Sequence, residues 1–337
     1  MTVCSLPPLK LIDKWSDRWK TRWATSEDLD ALQRLFSDAF RHDMSQARWR
    51  WKYQGATAWG TAVERDGQIV GFYGGMPRRC VWKNESLQAV QIGDVMVSPD
   101  ERAAGRSGPL MRASSSYIDN MPSLYPGFAF AFGFPSERPM RLGVTLGLYQ
   151  RLDEINEIVW PALPHQTAWF KKTRLISKID FHHERKQLNL LWVKMRQDFA
   201  CCIVPVRDYE RWLYRYMHHP ETTYQVVLVN GRFSKKPLAA FVFKEHPDFI
   251  ELLDFVGGRD AVPLAINEAR RCAGRLGKPT LKAWFSNAVS ALFEAQCSSV
   301  EKTGIEVPIN LRGKTEAQAQ ALLPAPLFLM AGDTDFR

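Results

Sequence analysis

The stretch from Gln91 to Met121 constrains the fold more than any other part of the chain. Residues up to Val97 read as a strand, and residues 99–108 form a run of small and polar side chains. Leu110, Met111, Ala113, Tyr117 and Ile118 then recur at helical spacing. Pro109 stands at the helix start, where a missing N–H costs nothing, and Pro122 is expected to end the helix. A strand that turns tightly into a helix aims backbone N–H groups and the positive helix end at one point, which suits a pyrophosphate. Ala103, Ala104, Gly105, Ser107 and Gly108 are small enough for phosphate oxygens to reach the main chain, and Arg102 and Arg106 add charge. An ordinary strand-to-helix turn shares several of these features, so the neighbouring elements must decide.

Those neighbours form an ordered series. Residues 20–25 read as a first strand. Ser26 is the expected cap of a helix carrying Leu29, Leu32, Leu35, Phe36, Ala39 and Phe40 on one face. A short helix over 46–53 places Trp49 and Tyr53 together. Strands over 61–65 and 68–76 flank a hairpin turn at Asp66-Gly67, and a second turn at Lys83-Asn84-Glu85 precedes the strand over 86–97. A buried aromatic strand over 128–134, a helix over 136–146 and extended chain over 148–160 follow.

The pattern of this region resembles the GNAT superfamily of acyl-coenzyme A (CoA) transferases. The family's phosphate loop reads Gln/Arg-x-x-Gly-x-Gly/Ala, and Arg102-Ala-Ala-Gly105-Arg-Ser107 is similar, with Ser107 where Gly or Ala is usual and Gly108 one residue later. Val97-Ser-Pro99, Arg22-x-Ala-Thr-x-x-Asp28, Ile69-Val-Gly71 and Ser136 to Gly147 extend the likeness over residues 20–157. The resemblance implies an α/β, mixed-sheet GNAT fold and an enzyme that moves an acyl group from acetyl-CoA or another acyl-CoA to an amine through a ternary complex. It implies that Val95 and Val97 pair with the pantetheine amides and that a backbone N–H near Met96 polarises the thioester carbonyl. Arg102, Ala103, Ala104, Gly105, Arg106, Ser107 and Gly108 would hold the pyrophosphate. Asp94 is the nearest carboxylate for a general base, unless it caps a turn or pairs with an arginine; Glu101 and Glu137 are weaker candidates. Where many members carry an acidic Tyr, this chain has Gly143, so Tyr149 is either a candidate acid or a packed aromatic. The segment Trp49-Arg-Trp51-Lys-Tyr53 either walls the acceptor groove or supplies core aromatics.

At 337 residues two domains are expected. Residues 1–19 read as an extension, 20–160 as the acyl-CoA-binding domain, 161–186 as a Pro-, His- and basic-rich connection, and 187–337 as a second domain. There a helix over 208–217 leads into strands over 224–229, 238–244 and 249–256, a helix over 262–276, a strand over 280–284 and a helix over 287–295. The order is similar to the first half, but Gly257-Gly-Arg-Asp260 lacks the phosphate-loop spacing, so the second domain resembles a degenerate tandem GNAT copy.

Net charge is +9, from 45 basic and 36 acidic residues. The basic residues are scattered, among them Arg78, Arg79, Lys171, Lys172, Arg270, Arg271 and Arg275. A solvated basic face or an anionic ligand is therefore favoured over a nucleic-acid surface. The six cysteines (Cys4, Cys80, Cys201, Cys202, Cys272, Cys297) form no CxxC pair, and no metal site is expected. Cys201-Cys202 is read as a reduced pair in a strand. His165, His182, His183, His218 and His219 are read as surface or interface residues. No apolar run nears the roughly 18–20 residues of a membrane span. Residues 1–11 lack a signal-peptide core, so a cytoplasmic location is expected. The expected partner is a small-molecule amine, an amino sugar among the candidates, with a homodimer as one arrangement. The competing reading is a non-catalytic GNAT-like ligand-binding or assembly module.

Overall fold

The computed structural model describes residues 18–164, 171–311 and 314–337, with the backbone alone for 104–107 and Lys171. In chain order its main elements are β1 (Lys20–Ala24), α1 (Leu29–Phe40), α2 (Gln46–Lys52), β2 (Gly60–Arg65), β3 (Gln68–Trp82), β4 (Glu85–Val97), α3 (Pro109–Leu124), β5 (Phe128–Gly133), α4 (Glu137–Thr145) and β6 (Gln150–Pro161). Then come β7 (Lys171–Ile176), α5 (Arg185–Asp198), β8 (Val204–Pro205), α6 (Tyr209–Trp212), β9 (Gln225–Gly231), β10 (Pro237–Glu245), β11 (Phe249–Gly257), α7 (Val262–Arg275), β12 (Thr280–Ser286), α8 (Asn287–Ser290), β13 (Ser299–Asn310) and α9 (Glu316–Leu322). The chain is a mixed α/β structure that packs as two units. Unit 1 takes the described residues up to Arg78, Leu87–Leu152 and Glu306–Leu323; unit 2 takes Arg79–Ser86, those of 153–305, and Pro324–Arg337.

In unit 1 the strand order is β1-β2-β3-β4-β5, closed by the last residues of β13. β1, β2 and β3 pair antiparallel, whereas β4 and β5 pair in parallel. The turn at Asp66-Gly67 has φ of 50° and 76°, the left-handed pair that matches a two-residue hairpin to strand twist. Arg22 of β1 bonds Asp28 at 2.7 and 2.8 Å and Glu64 of β2 at 2.8 Å, tying the first hairpin to the start of α1. Thr25, not Ser26, makes the cap. Its hydroxyl accepts from the Glu27 N–H, and the Asp28 carboxylate accepts from the Thr25 N–H at 2.9 Å, which closes a capping box.

Two cores lie on opposite faces of this sheet, because alternate strand residues point to opposite sides. Val63, Tyr73, Val90 and Ile92 pack with Ala113, Tyr117 and Met121 of α3. Ala62, Phe72, Met76 and Met96 pack with Leu32, Leu35 and Phe36 of α1 and with Trp49 and Tyr53. Trp49, Tyr53 and Trp59 form a stack with centroids 5.4–6.2 Å apart. Trp49 and Tyr53 are therefore core aromatics. α3 continues through Pro122 to Leu124, beyond the expected stop. Burial of Met121 and Leu124 outweighs the one hydrogen bond that proline forfeits.

Unit 2 repeats this series of pairings. Its order is β7-β9-β10-β11-β12-β6, with β11 and β12 parallel and the other neighbours antiparallel. Helix α5 was not foreseen, and β7 falls within the expected connection. Cys201 and Cys202 lie in turns after α5 rather than in a strand, because the Cys202 N–H closes on the Phe199 carbonyl at 2.8 Å. The expected helix over 287–295 is regular only to Ser290.

Two glycines in β3 make the unit 1 cores possible. A Cβ on Gly74 would sit 2.1 Å from the Tyr53 hydroxyl and 2.7 Å from the Gly93 carbonyl oxygen; on Gly75 it would sit 2.0 Å from the Tyr117 hydroxyl. Gly74→Ala and Gly75→Ala are each expected to cost about 1–3 kcal/mol by overpacking. Urea denaturation measures this, and unchanged midpoints would show that the tyrosines are not seated as described.

Candidate active site

The site of unit 1 grows from an irregularity in β4. Its parallel register with β5 runs from Gln88↔Phe128 to Ile92↔Gly133 and ends there, with the end of β5. β4 itself continues to Val97. From Gly93 onward β4 runs on past the end of β5, and this overhang is the wedge of the site. At the mouth of the wedge Asp94 has φ of 51°, a left-handed conformation for a non-glycine residue. Asp adopts it more readily than most residues, at a cost of about 1–3 kcal/mol.

Three contacts hold Asp94 in that state. The Lys52 ammonium lies 2.7 Å from its carboxylate, and the Tyr53 hydroxyl donates to it at 2.8 Å. The Gly93 carbonyl packs on Gly74, where any side chain would collide. Lys52 and Asp94 side chains are 2% and 6% exposed, so the pair is buried. The partner expected in the alternative reading of Asp94 was an arginine; the structure supplies Lys52 instead. Glu101 is also spent structurally, bonded to Arg65, to Arg18 and to the Trp19 indole N–H at 3.2 Å.

Past Val97, residues Pro99–Ser107 wind as 3-10 turns and lead through Gly108 straight into α3. Gly108 carries no capping side chain and Pro109 no N–H, so the N–H groups of Leu110 and Met111 begin the helix without intrahelical acceptors. Gly71 of β3 lets Pro109 sit flush on the sheet, since a Cβ there would lie 2.8 Å from the proline ring. Ala103 is exposed, and Ala104, Gly105, Arg106 and Ser107 follow the winding backbone. The Arg102 guanidinium donates to the carbonyls of Val97 at 3.3 Å and Ala39 at 3.2 Å. It therefore braces the loop, and the Val97 carbonyl already has a donor. Met96 is buried among α1 and α2 side chains, whereas Val95 is half-buried on the α3 face.

On that α3 face Val95, Met111, Leu146 and Tyr149 form a half-buried rim over the core. Tyr149 follows α4, and its ring lies over Gly143, where a Cβ would be 2.1 Å from the ring edge. The glycine that replaces an expected tyrosine thus makes room for Tyr149. The Tyr149 hydroxyl meets the hydroxyl of Tyr73 at 2.5 Å. Burial pushes the Tyr149 phenol up to about 12, while the bond from Tyr73 pulls it back down. Glu137 stands exposed in the first turn of α4.

Residues 20–141 match the model of an acetyltransferase (GNAT) domain. Over those residues the chain carries a GNAT-type domain. Solved structures of similar fold include a GCN5-related N-acetyltransferase from Kribbella flavida, at TM-score 0.66 and 14% identity over 91% of this chain and 73% of that one. A GCN5-related N-acetyltransferase from Anabaena variabilis has TM-score 0.58 and 14% identity over 87% and 73%. The Saccharomyces cerevisiae N-myristoyltransferase with bound myristoyl-CoA has TM-score 0.57 and 12% identity over 91% and 80%. Among curated proteins no relative matches. The match of residues 20–141 to an acetyltransferase domain supports an acyltransferase. No helix among the described residues is long and apolar enough to cross a membrane.

Unit 2 has a similar wedge, but filled. β11 pairs with β12 from Phe249↔Thr280 to Leu252↔Ala283, then runs on to Gly257. Asp254, two residues past the last pair as Asp94 is, takes bonds from Arg207 at 2.7 Å and the Tyr216 hydroxyl at 2.8 Å. Residues 327–333 occupy the opening. Met330 bridges Phe285 of β12, the Ser286 N–H donates to the Leu329 carbonyl at 3.0 Å, and Gly332 packs against the Leu253 carbonyl of β11. At the start of α7 the Asp198 carboxylate accepts from the Arg259 N–H at 3.0 Å and from Lys194 at 2.9 Å. The place where unit 1 offers a helix start thus already holds an anion. His182 and His183 stack at 3.8 Å, but no group of three His, Cys, Asp or Glu among the described residues could hold a metal; His165 and Cys4 lie outside those residues.

Lys52→Met should destabilise the protein by about 3–5 kcal/mol, because it strands a buried carboxylate. Adding Asp94→Asn should restore most of that loss in thermal or urea unfolding. Additive losses in the double variant would show that the two groups do not act as a pair.

Proposed function

We propose that the protein transfers an acyl group, acetyl in the first instance, from acyl-CoA to an amine acceptor through a ternary complex, with CoA bound by residues 20–160 alone. The run of β4 past the end of β5, followed directly by the turns into α3, carries this reading. Pantetheine amides would pair with the strand edge at Val95 and beyond, and the pyrophosphate would face the loop from Arg102 to Gly108 and the first N–H groups of α3. The backbone N–H near Met96 would receive the developing oxyanion. The amine nitrogen attacks the thioester carbon and the carbon–sulfur bond breaks. The sulfur takes a proton from Tyr149, and the nitrogen releases one to water. Asp94, already bonded by Lys52 and Tyr53, is a poor base; its part is to hold the bulge. Proximity within the wedge supplies much of the rate.

Residues 187–337 serve as a degenerate tandem GNAT copy. Solved structures that align with about nine-tenths of the chain, well past residue 141, support a second GNAT-like half. Its filled wedge and its carboxylate at α7 support the loss of CoA binding there. The acceptor is a small amine, an amino sugar among those to be screened.

Two results are expected from calorimetric titration with acetyl-CoA. The wild-type chain should bind one equivalent. Gly105→Glu, which sets a bulky acid in the loop, should weaken binding at least about 100-fold, on the order of 3 kcal/mol, with an unchanged unfolding midpoint. Two equivalents would reject the single-site reading, and wild-type affinity in the variant would reject the loop.

A further inference from the structure

We infer that Tyr73 is a positioning residue for acyl transfer, fixing the Tyr149 hydroxyl and donating to its oxygen as Tyr149 gives up its proton to the departing thiolate. The inference rests on the proposed acid role of Tyr149 and adds a second, buried phenol to it. Tyr73 lies on β3 with no exposed surface. Its hydroxyl meets that of Tyr149 at 2.5 Å, while Tyr149 is half-buried at the rim beside Val95.

The pair is asymmetric. Burial pushes the Tyr73 phenol well up, and its neighbours Tyr149 and Tyr117 push it further. Tyr149 is raised less, because the bond from Tyr73 favours its ionised form. In the pair Tyr73 therefore keeps its proton, and Tyr149 is the one able to lose a proton and recover it. A phenolate on Tyr149 would receive a short hydrogen bond from a neutral donor, a charge-assisted contact stronger than the neutral one it replaces. Among the described residues the titratable groups facing this pair are Tyr73 and Tyr149 themselves and Tyr117 of α3, with Tyr125 behind Tyr117. No lysine or arginine contributes to either shift, so the effect depends on the hydroxyls.

Two glycines show that the chain is built around the arrangement. Gly143 clears the space for the Tyr149 ring and Gly75 the space for the Tyr117 hydroxyl. Tyr117 in turn packs on Tyr73, with ring centroids 5.8 Å apart.

The test needs no acceptor. Free CoA is bound to the full-length protein, and the thiol of the bound CoA is titrated by thiolate ultraviolet absorbance, with desulfo-CoA as the blank. In the wild type the bound thiol should ionise about one pKa unit below free CoA, because a phenol donates to the thiolate. Tyr149→Phe should abolish that shift, and Tyr73→Phe should remove about half of it while leaving CoA affinity within about twofold. The double variant should match Tyr149→Phe alone. If Tyr149→Phe titrates like the wild type, the acid role of Tyr149 fails and the inference with it. If Tyr149→Phe loses the shift and Tyr73→Phe keeps it whole, the acid role stands and the role of Tyr73 is overturned. Unfolding midpoints of both variants separate a lost hydroxyl from a lost fold.

Discussion

The buried pair of Lys52 and Asp94 is the interaction on which unit 1 depends. Asp94 stands in the left-handed region just past the last pairing of β4 with β5, and that conformation costs free energy unless something offsets it. A 2.7 Å ion pair and a 2.8 Å phenol bond, both shielded from water, supply the compensation. The partners come from α2, whose Trp49 and Tyr53 are locked into the aromatic stack. The core on the α1 face thus sets the geometry of the wedge, and a substitution in α2 should be felt in the site.

Unit 2 repeats the buried ion pair without the left-handed residue, and its wedge is filled. Asp254 occupies the matching position and is held by a cation and a tyrosine, Arg207 and Tyr216, as Asp94 is held by Lys52 and Tyr53. The two halves differ in what fills the opening. Residues 327–331 are nearly fully buried there, which satisfies the strand edge with the chain's own backbone. The carboxylate of Asp198 takes the helix start, held below the usual range by Lys194 and the Arg259 N–H despite the upward push of burial. The wedge proposed to take a ligand in unit 1 is thus occupied by the chain itself in unit 2.

Much of this was legible in the sequence. The hairpin at Asp66-Gly67, the strand into Val97, the small-residue loop and Pro109 are local signals, and each falls where local chemistry puts it. The pieces that sequence missed are non-local. Nothing near Ile309 says that the end of β13 will pair with β5, about 180 residues earlier, in unit 1. Helix α5 escaped notice because its apolar residues, Leu188, Leu191, Trp192 and Met195, are diluted by charge. The role of Gly143 as a space for Tyr149 cannot be read from a glycine in a helix pattern, since the signal lies in a ring six residues on. Likewise Lys52 reads as a surface cation until α2 is packed.

Hydrogen exchange of the backbone amides, with and without acetyl-CoA, tests the central claim most directly. A ligand seated along the open edge of β4 should slow exchange at Val95 to Val97 and at Gly108 to Met111. The matching residues of unit 2, from Phe255 to Gly257 and at the start of α7, should not change. Equal protection in both halves, or none at Val95 to Val97, would contradict the account.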